Sequence, residues 1–332
     1  MDSDYNWFPY LITRLTTCRI MKSVSQSAIL LFLAFAVFQL ENLDASIVGY
    51  TNETNNRFTN SASLILNGFD LSGVGKEPDV TGLPGESSRW ATAISRNVVI
   101  AAFHAMPDGP LHFHPDNDPT STPVVRNVVS SQRVGATDLW IGVLDSNLPD
   151  TITHYAYATE NLTGPDGVEV SAGSFQGLNA YLFSQSRRAD DPQQDQRVGR
   201  NKVRGFLDNV NFIGQTDNDS ILFEFDPSGS ADFVDFETRF ISEDSGGPTF
   251  VEMGGELVLL GINAFNFDDP DFGNGSGITY VGNQATSIQQ FISDNRIATP
   301  EPNTLSMLIL SLFGLTSMRR KRATFFRSDA LI

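Results

Sequence analysis

The sequence predicts an all-β protein of short strands closed by one C-terminal helix, and three observations predict it. Short apolar or alternating runs recur between Ser46 and Ala298: Ser63–Leu66, Val98–Ala102, Val124–Val129, Leu139–Leu144, Tyr155–Ala158, Ile221–Phe225, Thr249–Val251, Leu257–Phe265 and Ile278–Val281. Clusters of Gly, Asn, Asp and Pro separate these runs, as turns separate the strands of a sandwich or barrel. A helical period emerges only over Thr286–Asp294, where Ile288, Phe291 and Ile292 share one face. The polar segment Leu182–Arg204, rich in Arg, Asp and Gln, reads as a long surface loop.

The N-terminal end reads as an address. Met21-Lys22 precedes an apolar run from Ala28 to Leu40, and small residues follow at Ala45-Ser46. A basic start, a short apolar stretch and a small-residue cleavage site make an export signal over residues 1–45, with Met21 as the expected start of translation. The run is too short for a comfortable membrane span.

Charge and cysteine usage narrow the function classes. The chain of 332 residues carries a formal charge of −17, and from Ser46 to Ala298 there are 14 Lys and Arg against 33 Asp and Glu, a balance of −19. A body this acidic repels nucleic acid and anionic membrane surfaces. The single cysteine, Cys18, precedes the export segment, so the expected mature chain has no disulfide, thiol nucleophile or cysteine metal site.

The C-terminal end carries Pro300-Glu301-Pro302, an apolar stretch ending near Met318, and Arg319-Arg320-Lys321-Arg322. This order resembles the PEP-CTERM sorting signal of bacterial envelope proteins. The resemblance implies a tail over 299–332 held in the inner membrane with its basic end in the cytoplasm, then cleavage by an exosortase. It implies an exported protein, transiently anchored and finally in the envelope or outside the cell.

Three further segments carry chemistry. Glu243-Asp244-Ser245-Gly246-Gly247-Pro248 sits between short strands. Val98-Val-Ile-Ala-Ala-Phe103-His104 runs an apolar strand into a histidine, the only one of four so placed. Asp138 opens the apolar run Leu139–Leu144, whereas its competitor Asp145 closes it. A serine, a base and an orienting carboxylate are the parts of acyl-transfer catalysis. The three segments resemble the nucleophile loop, the strand-to-histidine element and the aspartate-led strand of trypsin/chymotrypsin-like serine proteases, in the chain order His, Asp, Ser. The resemblance implies two antiparallel β-barrels of chymotrypsin type, over 46–160 and 161–298, with a short C-terminal helix. It assigns His104, Asp138 and Ser245 as the triad. It assigns an oxyanion hole to the amides of Glu243 and Ser245. A specificity pocket follows from Arg239, Ala264, Phe265 and Gly277, with Arg239 as a basic floor that favours acidic side chains. Ile47-Val48-Gly49 resembles the start of mature family members and implies an activating pair of Ile47 with Asp244.

The pattern departs from the family at particular places. Phe103 stands before the histidine and Ala105 replaces a cysteine. Glu243 stands where the family has a glycine, and a flipped peptide there would remove one oxyanion donor. His112 and His114 share a strand face without a third ligand cluster, and Asp268–Asn274 is an oxygen-rich loop without an EF-hand pattern, so neither metal nor cofactor is expected. Two readings stand. One is a monomeric endopeptidase acting on proteins or peptides and matured by signal peptidase and exosortase. The other is a weak or inactive protease-fold surface protein associated with extracellular matrix.

Overall fold

The computed structural model describes residues 47–78, 89–118, 120–185, 196–212, 214–241, 243–269 and 273–296. The export segment, the C-terminal tail and Cys18 lie outside the described residues. The chain is mostly β, with a curled sheet and a short C-terminal helix. Among the described residues no helix is long and apolar enough to cross a membrane.

Strands β1 (Val74–Lys76), β2 (Trp90–Ala93), β3 (Val98–Ala102), β4 (Leu111–Phe113), β5 (Val124–Arg126), β6 (Val128–Arg133) and β7 (Leu139–Leu144) form a first sheet in the order β5-β4-β1-β2-β3-β7-β6. Its two edge strands are consecutive in sequence across Asn127. The second sheet contains β8 (Ala156–Tyr157), β9 (Glu169–Val170), β10 (Asn179–Ser184), β11 (Arg197–Lys202), β12 (Gly205–Phe212), β13 (Gln215–Glu224), β14 (Pro248–Met253), β15 (Glu256–Asp269) and β16 (Gly273–Tyr280). Its order is β11-β10-β14-β15-β16-β13-β12-β9, with β8 parallel to β15. Helix α1 (Asn52–Asn55) precedes the first sheet and α2 (Ala285–Asp294) ends the described chain. Ile288, Phe291 and Ile292 are the buried face of α2, as the period predicts.

Strands β3 and β7 are buried on both faces. Val98, Ile100 and Ala102 turn toward a core shared with Phe183, Phe250 and Ile278 of the second sheet, while Val99 and Ala101 turn toward Leu111, Phe113 and Trp140. That is why both strands read as unbroken apolar runs rather than alternating ones. Such strands have no solvent face on which to slip, so their ends are rigid attachment points.

Two expectations fail. Ser63–Leu66 is a pair of turns rather than a strand; Leu64 and Leu66 are buried from a turn, which an apolar run alone cannot distinguish from a strand. The segment read as a long loop contains half of β10 and all of β11, strands paired from Asn179↔Lys202 to Ser184↔Arg197; its residues 186–195 lie outside the described residues. Composition misleads at β11 because Arg197 and Asn201 are buried with partners. Asn201 donates to the carbonyls of Glu224 and Thr238, and the Arg197 guanidinium lies 4.5 Å from the Tyr50 ring centroid. A similar device anchors the N-terminal strap. Arg57, fully buried, donates to Asn117 Oδ1, Gln196 Oε1 and the carbonyls of His114 and Asp116, and burial lowers its pKa to about 10.

Candidate active site

The register of β3 on β7 brings His104 and Asp138 together. Ala102 pairs with Leu139, so the residues just past each strand end are neighbours. The Phe103 N–H extends the ladder by one bond to the Asp138 carbonyl at 2.7 Å. The chain then turns through a single 3₁₀ turn, Phe103–Ala105, which swings His104 over the Asp138 side chain. Asp138 Oδ1 accepts the His104 N–H at 2.9 Å, and Oδ2 lies 2.6 Å from the ring Nδ1. Asp138 is fully buried and the His104 side chain is 15% exposed. A carboxylate so held fixes the ring and leaves Nε2 as its outward nitrogen. The Asp138 N–H donates to Asn218 Oδ1 of β13, and the Asn218 amide in turn donates to the carbonyls of Val210 and Gln215. The second sheet thus supports the acid contributed by the first. Asp145 is exposed and is held by Asn127, so it takes no part.

The serine arrives on the loop between Ile241 and β14. The Asp244 carboxylate, fully buried, accepts the N–H of Gln185 at 3.0 Å and of Ile241 at 2.8 Å. The Gly246 N–H donates to the Asn263 carbonyl, Asn263 N–H donates to the Gly247 carbonyl, and Gly247 N–H donates to the Asp244 carbonyl. Both glycines are required. Gly246 has φ 87°, and a Cβ on Gly247 would come within 2.9 Å of Asn263 Nδ2. A Cβ on Gly246 would lie 3.6 Å from the Ala105 carbonyl oxygen and 3.7 Å from the Ala102 nitrogen, so the residue after Ser245 packs on the His104 turn. Ser245 is half-buried and makes no hydrogen bond to His104 among the described residues. In unliganded sites such bonds are often long and tighten with substrate.

The residue that departs from the pattern has an unusual backbone. Glu243 has φ 85°, the left-handed region that glycine occupies freely and glutamate does not. Its carbonyl accepts the Gln185 side-chain amide at 2.5 Å. The amides of Asp244, Gly246 and Gly247 all have backbone acceptors. Those of Glu243 and Ser245 have none among the described residues, which leaves two N–H donors on one loop for an anionic oxygen.

The residues expected to line a pocket have the following contacts. Phe265 pairs with Gly277, and a Cβ there would lie 2.2 Å from the Phe265 ring. Ala264, buried, sits where the β15–β16 register shifts between Asn263 and Phe265. Arg239 donates to Asn274 Oδ1 at 2.6 Å, and its guanidinium lies 5.6 Å from the Phe225 ring centroid. The neighbouring Phe240 is pinned through Ser276 Oγ and Asn266 Nδ2. Ile47 is buried in an antiparallel bridge with Thr238, and the Val48 N–H donates to the Glu237 carbonyl. No hydrogen bond joins Ile47 to Asp244 among the described residues.

The other histidines do different work. His114 is buried edge-on against Phe58, and burial with the nearby Arg57 charge lowers its pKa to about 4. His112 is lowered by burial as well. Among the described residues no group of three or more His, Cys, Asp or Glu is arranged to hold a metal; residues 270–272 of the Asp268–Asn274 loop lie outside them.

Three supporting residues were not singled out in the sequence: Asn218, Gln185 and Asn263. Asn263 is fully buried, donates to the Phe183 carbonyl and accepts from Thr249 Oγ1. It alone had a visible mark, a lone amide inside the apolar run Leu257–Phe265. No family model matches the chain, and no curated protein is detectably similar to it in sequence.

Proposed function

We propose that the chain is a serine endopeptidase of the trypsin/chymotrypsin type, with the two sheets as its two barrels. One observation carries the reading: a buried carboxylate, Asp138, holds both the backbone N–H and the ring Nδ1 of His104, and the Ser245-Gly246 loop packs on that same turn. Ser245 Oγ attacks the carbonyl carbon of a peptide bond while its proton passes to His104 Nε2. Asp138 stabilises the imidazolium so formed. The amides of Glu243 and Ser245 take the oxyanion. The C–N bond breaks as His104 returns the proton to the leaving amine, and the acyl group stays on Ser245. Water then attacks with His104 as base, releasing the acid and restoring the serine.

In this reading, substrates are proteins or peptides, Arg239 favours acidic side chains, and the acidic body has no nucleic-acid role. The export signal and the PEP-CTERM-like tail make signal peptidase and exosortase its processing partners. Glutamate at position 243, where the motif has glycine, favours the second reading, a weak or inactive surface protein on the same scaffold. Casein hydrolysis separates the two. Purified wild type cleaves casein and Ser245→Ala does not. Equal rates in the two proteins would remove Ser245 as the nucleophile, and no cleavage by either would favour the surface-protein reading.

A further inference from the structure

We propose that Gln185 is a positioning residue for the oxyanion hole, a role that rests on the peptidase reading. Leu182 of β10 pairs with Thr249 of β14, and β14 begins directly after the serine loop. Gln185, one residue past the end of β10, therefore emerges beside that loop. It is 3% exposed and grips the loop twice. Its backbone N–H donates to Asp244 Oδ1 at 3.0 Å, and its side-chain Nε2 donates to the Glu243 carbonyl at 2.5 Å.

The second bond falls at the decisive peptide. The two N–H groups without a backbone acceptor among the described residues are those of Glu243 and Ser245. The peptide between them, 243–244, is the one whose carbonyl Gln185 holds. Fixing it fixes the common hinge of both donors. The hinge needs fixing, because Glu243 stands at φ 85° and a residue with a Cβ is strained in the left-handed region. Without the Gln185 amide, Glu243 relaxes toward negative φ and its N–H turns away from that of Ser245. The motif that the loop resembles has glycine here; in this chain a glutamate and a buried amide together take glycine's place.

The test uses the secreted full-length protein with fluorescein-labelled casein and a fluorophosphonate probe, whose phosphoryl oxygen enters the same hole. Gln185→Met keeps the volume and removes the donor. It should lower kcat and the labelling rate about tenfold, less than the ~10²–10³ of deleting a donor outright, with KM within about twofold. Glu243→Gly in the Gln185→Met background should restore kcat to within about threefold, because glycine takes φ 85° without strain. A merely structural role would lower Tm and give the same loss in both backgrounds. Unchanged kcat in Gln185→Met, or an equal loss with Glu243 and with Gly at that position, overturns the proposal. If Gln185→Met does not melt cooperatively, Gln185→Glu serves instead, since it turns a carboxylate oxygen toward the Glu243 carbonyl; the same two outcomes decide. A wild-type Ser245 that takes no probe removes the peptidase reading and this role together. A labelled wild type indifferent to Gln185 removes this role alone.

Discussion

Replacing Asp138 by asparagine keeps the size of the side chain and tests the triad through its hydrogen bonds. Oδ1 of Asp138 faces the His104 backbone N–H at 2.9 Å, a group that can only donate. The asparagine amide oxygen must therefore occupy that place. Its NH₂ then faces His104 Nδ1, 2.6 Å from the present Oδ2. Nδ1 is forced to accept, so the neutral ring carries its proton on Nε2. That nitrogen can no longer take the Ser245 proton. The expected fall in kcat is about 10⁴-fold, the effect of a wrong tautomer in a triad of this design, or ~5.5 kcal/mol of barrier. Stability should fall by only about 1–3 kcal/mol, because one of the two bonds to His104 survives and the other is re-formed with donor and acceptor exchanged. Casein hydrolysis at neutral pH reads the first effect and urea unfolding the second. A folded Asp138→Asn protein with kcat within about tenfold of wild type would refute the tautomer argument.

Glu237 is buried with its carboxylate on the N–H groups of Asp226 and Val234, and burial pushes its pKa from 4.5 up to about 7. The fold favours the neutral acid, so its stabilising contribution is full below 4.5 and is lost as pH rises through about 7. Glu237→Gln should flatten the fall in urea midpoint across that window, and an unchanged slope would count against this carboxyl as its source. Cleavage of a peptide library should favour acidic side chains, and Arg239→Glu should reverse that toward basic ones; a wild-type preference for Lys or Arg would remove Arg239 from the pocket. N-terminal sequencing separates two routes to an ordered oxyanion loop. The Gln185 tether predicts activity with Ser46 or earlier residues still attached. Activity confined to chains beginning at Ile47 would instead make the Ile47–Asp244 pair the trigger.

The elements that position His104 and Asp138 were legible because their pattern is local. The run Val98–Ala102 ends at His104 and the run Leu139–Leu144 begins after Asp138, and each strand reads as apolar since both its faces are buried. The α2 helix was legible for the same reason, through Ile288, Phe291 and Ile292. Strand β11 was not, because Arg197 and Asn201 are buried by pairing with ring and carbonyl groups far along the chain. The supporting amides share that difficulty. Asn218 meets Asp138 and Asn263 meets Phe183, each across 80 residues, and Gln185 meets Glu243 across 58. No local pattern records such a contact. The mismatch at Glu243 was visible, but its outcome was not. The structure places Glu243 at φ 85° with its carbonyl on the Gln185 amide, a contact that the sequence does not record.

The most direct test of the peptidase reading is the site of covalent labelling by a fluorophosphonate, mapped by mass spectrometry on the intact protein and on His104→Ala. A serine activated by His104 and facing an oxyanion hole predicts one adduct, on Ser245, formed in wild type and slowed by about 10³-fold or more without the imidazole. No adduct on Ser245, or labelling of Ser245 at the same rate in His104→Ala, would contradict it.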